Sequence, residues 1–208
     1  MDEIDADVAL ELDVTDPQSC ASFVERAVDE LGGLDILVNN AGLALGRDPF
    51  WESTEEDERT VLETNVNGLI RITRLCLPHL EDGGGHIVNL GSIAGIDVYE
   101  KGALYCLSKA AVHMFSRALR EDLLGKPIRI TTLAPGLVET EGFSLTRFRG
   151  DAEKASAVYG DVALGGPIHA EDVADCIVFA LTRPAHVNVD EIVVTALAQS
   201  SGARIIRT

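Results

Sequence analysis

Apolar and polar positions alternate from the start of the chain. Val8, Leu10 and Leu12 are separated by small or polar residues, which predicts a strand ending at Asp13. Asp16 followed by Pro17 is a helix start, and the stripe Phe23, Val24, Ala27, Val28 and Leu31 runs to a stop at Gly32-Gly33. Leu34 to Val38 is a short continuous apolar run, expected for a strand covered on both faces. Ser53 with Glu56 has capping-box spacing and opens a long helix ending near Pro78, with the stripe Leu62, Asn65, Leu69, Ile72 and Cys76. His86 to Leu90 is the next strand, and His86 reads as a strand-entry residue rather than a catalyst. A helix through Tyr105, Ala111, Phe115 and Leu119 to about Leu124 leads to a strand from Ile128 to Leu133, ended by Pro135-Gly136. Residues 137–168 are glycine-rich and weakly periodic, which predicts a long mobile segment over a site. A short helix from Glu171 to Leu181 and a strand from Glu191 to Leu197 complete the pattern.

Strands alternating with helices predict an α/β fold with a doubly wound parallel sheet. Ligands bind such sheets outside the carboxyl ends of the strands, where Asp13, Asn39, Ser92 and Pro135 fall.

At 208 residues and 46% apolar content, a single globular domain is expected, without internal repeat or low-complexity linker. The sequence has no run of eighteen apolar residues and no basic-then-apolar leader, so it reads as soluble and cytoplasmic. The net charge of −17 argues against nucleic acid or an anionic membrane as partner. Cys20, Cys76, Cys106 and Cys176 form no C-x-x-C pair and fit free thiols in a reducing compartment; no metal-ligand pattern is apparent.

The chemistry concentrates between Ser92 and Lys109. On a helix, Tyr105 and Lys109 share a face one turn apart. A phenol has a pKa of about 10, too high for easy proton exchange near neutrality. A nearby ammonium favours the phenolate, making a usable acid/base, and Ser92 at a strand end is placed to hold a substrate oxygen. Taken alone, Tyr-x-x-x-Lys also arises by chance on a solvated helix face. Likewise Asn65 on an apolar stripe also fits a core amide satisfied by backbone.

Together, Asn39-Asn40-Ala41-Gly42, Asn65, Ser92 thirteen residues before Tyr105, Lys109 and Pro135-Gly136 resemble the classical short-chain dehydrogenase/reductase family over nearly the whole chain. The resemblance implies a Rossmann-like fold and an oxidoreductase moving hydride between NAD or NADP and a small alcohol or carbonyl. It implies Tyr105 as acid/base, Lys109 lowering its pKa and holding the nicotinamide ribose, Ser92 orienting substrate, and Asn65 holding a water beside the lysine. Asp13 is similar to the acidic residue near the adenine, Asn39, Ala41 and Gly42 to the adenosine-side segment, and Pro135, Gly136 and Val138 to the loop against the nicotinamide. Asn40 to Gly46, Pro135 to Val138, Phe143-Ser144, Arg147-Phe148 and Pro184 to Asn188 look closest to NADP-dependent 3-hydroxy acid (serine-type) dehydrogenases.

Arg147 is among the few cations of its segment and suits a substrate carboxylate; a surface arginine offsetting nearby acids fits it equally. The family's assembly mode implies a homodimer or homotetramer through the helices carrying Asn65 and Tyr105. The sequence departs from the family at its amino end, opening near the third strand without the turn Thr-Gly-x-x-x-Gly-x-Gly that holds a pyrophosphate. Residues 1–208 are therefore expected to be an amino-terminally incomplete domain, with weak cofactor binding by this length alone and no reading of NAD against NADP. A catalytically inactive binding or assembly module, and a hydrolase using Ser92, are the competing readings. Retention of Ser92, Tyr105 and Lys109 favours the oxidoreductase, and the missing phosphate loop favours the inactive module.

Overall fold

The computed structural model describes residues 6–80, 84–140 and 142–208. Asp16 caps helix α1 (Pro17–Leu31) by accepting the Gln18 N–H at 2.9 Å, and Gly32 closes it in the left-handed conformation at φ 72°. Strand β1 (Ile36–Asn39) follows.

The long helix begins at Thr54 rather than Ser53. Thr54 accepts the Asp57 N–H while Asp57 accepts the Thr54 N–H, a capping box one residue later than the Ser53–Glu56 spacing predicts. Ser53 instead donates to the Phe50 carbonyl at 2.7 Å. Helix α2 (Glu55–Leu62) passes through a π-helical turn over Glu63–Gly68 into α3 (Leu69–Leu80), so Pro78 lies inside the helix.

Strand β2 (Gly85–Leu90) is buried throughout, α4 spans Ala103–Asp122, and β3 spans Ile128–Pro135. Beyond them lie β4 (Val138–Glu139), α5 (Phe143–Arg147), α6 (Ala152–Ala157), β5 (Ile168–His169), α7 (Ala170–Leu181) and β6 (Glu191–Val194).

The main sheet has the order β1-β2-β3-β6 with every pairing parallel. Its two faces carry separate cores, as double winding requires. Ile87 and Ile130 pack with Cys20, Val24, Ile72 and Cys76 of α1 and α3, while Val88, Leu90 and Leu133 pack with Val173, Ile177 and Leu181 of α7.

The structure departs from expectation at two further places. Residues 8–12 form no strand, because a strand needs a hydrogen-bonded neighbour and none of the described strands lies beside them. β1 is not covered on both faces: Ile36 and Val38 are 45% and 38% exposed. Among the described residues it pairs with β2 alone and opens onto an apolar cleft of about 300 Å³ between α1 and α3. Among the described residues, 137–168 hold two short helices and pair β4 with β5, elements that sequence periodicity leaves blank.

Candidate active site

The carboxyl ends of β1, β2 and β3 deliver Asn39, Ser92 and Pro135 to one edge of the sheet. Asn39 spends its amide inside that edge, donating to Thr73 Oγ1 at 2.9 Å and to Asn89 Oδ1 at 2.8 Å. Ser92 is buried and lies against Pro135, whose carbonyl accepts its hydroxyl at 3.5 Å. Its side chain is also hydrogen-bonded to Tyr105, which α4 presents.

Tyr105 is half-buried and meets Phe143 of α5 edge-on, ring centroids 5.7 Å apart at 62°. Burial pushes its phenol up to about 12, against the lowering influence of the Ser92 hydrogen bond and of Arg147. The expected depression by Lys109 is corrected: burial dominates, and the groups that lower the phenol are Ser92 and Arg147. The Lys109 ammonium lies 5.9 Å from the Tyr105 ring centroid and donates to the Leu90 carbonyl at 2.7 Å. Lys109 is itself buried, which pulls its pKa down to about 8.

Asn65 stands in the π-helical turn, a backbone irregularity that recurs at functional sites. Its amide donates to the Leu43 carbonyl at 2.8 Å and to Ser108 Oγ at 3.0 Å, and its carbonyl accepts the Leu43 N–H at 2.8 Å. One side chain therefore locks the Asn40–Leu43 loop against α4. A Cβ on Gly42 would lie 3.3 Å from Asn65 Oδ1 and 3.5 Å from Lys109 Nζ, so the bare backbone leaves the ammonium open on that side.

Pro135 leads into a loop fixed by two bonds: Gly136 N–H to the Val194 carbonyl at 2.8 Å, and Leu137 N–H to Gln199 Oε1 at 2.7 Å. Val138 opens β4 beyond it. Asp13 lies apart from this cluster, exposed in a turn where it accepts from Thr15, which holds its carboxyl below the usual range. Ala41, with Leu12 and Val14, lines the apolar cleft beside β1.

The segment after β4 reaches over Tyr105. The Arg147 guanidinium lies 5.8 Å from the Tyr105 ring and 5.4 Å from the Tyr99 ring, donating to Tyr99 Oη at 2.9 Å and to the Gly46 carbonyl at 3.2 Å. Beside it is a cavity of about 110 Å³ lined by Leu45, Gly46, Tyr105, Arg147 and Arg149. Arg149 is paired with Asp57 at 2.7 Å.

Sequence reasoning missed Tyr99 and His113. Nothing local marks Tyr99. His113 could have been found, since it stands four residues after Lys109 on the same helix face.

His86 is buried, with Nε2 at 2.8 Å from Thr131 Oγ1 and a pKa pushed down to about 4 by burial and by Arg129. It is a neutral strand residue, as expected. Among the described residues no His, Cys, Asp and Glu group gathers into a metal site, and no helix is long and apolar enough to cross a membrane.

A parallel doubly wound sheet that brings a serine, a tyrosine and a buried lysine to its carboxyl edge is a Rossmann-type fold, whose ligands bind at that edge. A family model described as short chain dehydrogenase matches residues 2–147, and the chain belongs to that family.

It is 41% identical over 199 residues to the NADP-dependent 3-hydroxy acid dehydrogenase of Schizosaccharomyces pombe, spanning 95% of this chain and 75% of the relative. It is 42% identical over 194 residues to sulfoacetaldehyde reductase 2 of Chromohalobacter salexigens, spanning 92% and 75%. The closed form of a serine dehydrogenase complexed with NADP+ superposes with a TM-score of 0.88 at 38% identity, covering 96% of this chain and 79% of that one. Family membership makes the chain an NAD(P)-dependent oxidoreductase acting on a small molecule, and selects that reading over the binding module and the hydrolase.

Proposed function

We propose that the protein oxidises a small 3-hydroxy acid, or reduces the corresponding carbonyl, with NADP. The observation that carries the reading is Arg147 stacked over the ring of Tyr105, which sets an anion-binding fork beside the acid/base. Two relatives support it, since a 3-hydroxy acid and sulfoacetaldehyde are both small anions.

The residues present fit the nicotinamide half of NADP. Lys109 gives one bond to Leu90 and keeps further N–H donors for ribose hydroxyls, with Gly42 leaving the approach open. Pro135, Gly136 and Val138 form the wall on the other side, and Asn39, Ala41 and Asp13 lie toward the adenosine half. NADP, when bound, accepts or supplies the hydride. Ser92 holds the substrate oxygen, and the Tyr105 hydroxyl gives or takes its proton. The Ser92 hydrogen bond and the Arg147 charge favour the phenolate against burial, and Asn65 fixes the loop and helix that hold the site.

Arg147 and Tyr105 line the same cavity. With two donors engaged by Tyr99 and Gly46, its remaining N–H groups suit a bidentate acid. Arg147→Ala is expected to lower kcat/KM for a hydroxy acid by about 10–100-fold, the worth of a hydrogen bond to a charged group. A matched neutral alcohol should lose far less. Equal losses on both substrates would refute carboxylate recognition.

We also infer a homodimer or homotetramer. Ala103, Leu107, Ala110 and Met114 form an exposed small-and-apolar stripe at helical spacing on α4, with Leu107 57% and Met114 64% exposed. Two copies of this stripe can pack about a two-fold axis. Light scattering at micromolar concentration should give at least a dimer, and a monomer would contradict the inference. The buried, unpaired Cys20, Cys76 and Cys106 suit a reducing cytoplasm.

A further inference from the structure

His113 has no part in the chemistry described so far, yet it is 7% exposed and lies directly beneath Ser92. Its Nδ1 is 2.7 Å from Glu191 Oε1 at the start of β6, and its Nε2 is 3.3 Å from the Ser92 nitrogen and 3.1 Å from the Ser92 carbonyl oxygen. The Glu191 carboxylate can only accept, so Nδ1 carries a proton, and Nε2 lies within hydrogen-bond distance of both the N–H and the carbonyl of Ser92. The Ser92 carbonyl is already served by the Gly95 N–H at 2.9 Å. Arg117, 3.5 Å from the other Glu191 oxygen, steadies the carboxylate.

The loop is shaped around this imidazole. A Cβ on Gly91 would fall 2.4 Å from His113 Nε2, and one on Gly95 would fall 2.6 Å from Cδ2. Gly91, just before Ser92, and Gly95, three residues after it, thus both need to lack a side chain for the ring to sit where it does. The ring joins three elements: α4, which also carries Tyr105 and Lys109; the loop after β2; and β6.

We propose that His113, oriented by Glu191, is a positioning residue that sets the backbone of Ser92, and so the aim of its hydroxyl at Tyr105 and the substrate. The proposal rests on the oxidoreductase reading above. The logic is that of a carboxylate fixing an imidazole which then fixes a reactive group, transferred here to the backbone of the substrate-orienting serine. A serine free to rotate its peptide would leave Tyr105 in place but misaim the oxygen between them, and such misplacement costs about a hundredfold in rate.

The test uses His113→Leu, Glu191→Leu and Glu191→Gln, assayed with NADP and 3-hydroxypropanoate, together with hydrogen exchange at the Ser92 amide. We expect His113→Leu to lower kcat and kcat/KM together by about a hundredfold with NADP affinity held, the mark of an interaction expressed in the transition state. Glu191→Leu should do the same to a smaller degree, and Glu191→Gln, which keeps an acceptor oxygen for the Nδ1 proton, should recover most of the loss. The Ser92 amide should exchange faster in both leucine variants.

Parental kcat in His113→Leu would overturn the proposal, as would a loss confined to KM or unchanged Ser92 exchange. If His113→Leu does not fold, Glu191→Leu against Glu191→Gln decides, because that pair differs in the acceptor while sparing the ring. A parent protein without turnover would defeat the oxidoreductase reading instead, and accelerated Ser92 exchange would still show that His113 anchors the loop.

Discussion

Tyr105→Phe is expected to lower turnover by about 10²–10⁴-fold, the usual cost of losing a positioned acid/base. The ring is retained, so its edge contact with Phe143 at 5.7 Å and its place beside Arg147 survive. What goes is the hydroxyl that Ser92 reaches. The fold should therefore be unchanged, and cofactor affinity nearly so, because ribose binding is assigned to Lys109. Steady-state rates with NADP and a hydroxy acid, beside direct titration of NADP, check both halves. Comparable turnover in a variant that still binds NADP would remove Tyr105 from the mechanism.

Lys109→Met carries the second large effect, and here activity and stability move apart. Turnover and NADP affinity should both collapse, since the residue is assigned to hold the nicotinamide ribose in place for hydride transfer. Stability should not fall with them. Burial moves the Lys109 pKa from its ordinary 10.5 to about 8. Between those values the unfolded chain binds more protons than the folded one, so stability rises with pH across that window. Below pH 8 the burial penalty is fully present, worth about 3 kcal/mol from the difference between the two values.

Removing the ammonium relieves that penalty but strands the Leu90 carbonyl, which costs about 1–3 kcal/mol. The net expectation at pH 7 is a variant at least as stable as the parent, with its relative advantage shrinking as pH rises from 8 toward 10.5. Denaturant unfolding of both proteins at pH 7 and pH 10 measures this. A variant less stable at pH 7 by several kcal/mol would mean that the ammonium is favourable where it lies. A neutral methionine that outlasts the native lysine would mark Lys109 as a group kept for function at a cost in stability.

Much of this was legible from local pattern. Asp16-Pro17 to Gly32 gave the limits of α1 because caps and stops are set within a few residues. The alternation of elements gave the parallel sheet, and strand ends gave the neighbourhood of Ser92 and Pro135. Residues 8–12 failed because alternation reports a pleat and not a partner. The cap moved from Ser53 to Thr54 because Ser-Thr offers two starts and only backbone geometry chooses between them.

The site's supporting contacts were hidden by separation along the chain. His113 meets Glu191 across 78 positions, Arg149 meets Asp57 across 92, and Arg147 meets the Gly46 carbonyl across 101. The Tyr105 phenol illustrates a further limit. Sequence spacing predicts an ammonium one turn away, yet the burial that pushes the phenol to about 12 depends on the segment folded over it.

In the proposed reaction hydride leaves the carbinol carbon of a small hydroxy acid while Tyr105 handles only the proton. Offering the protein NADP and 3-hydroxypropanoate deuterated at the carbinol carbon, and weighing the cofactor by mass spectrometry, tests this directly. Reduced NADP should carry one deuterium from the substrate, with none lost to water. Reduced cofactor without the label, or no reduction with any hydroxy acid, would contradict the proposed reaction.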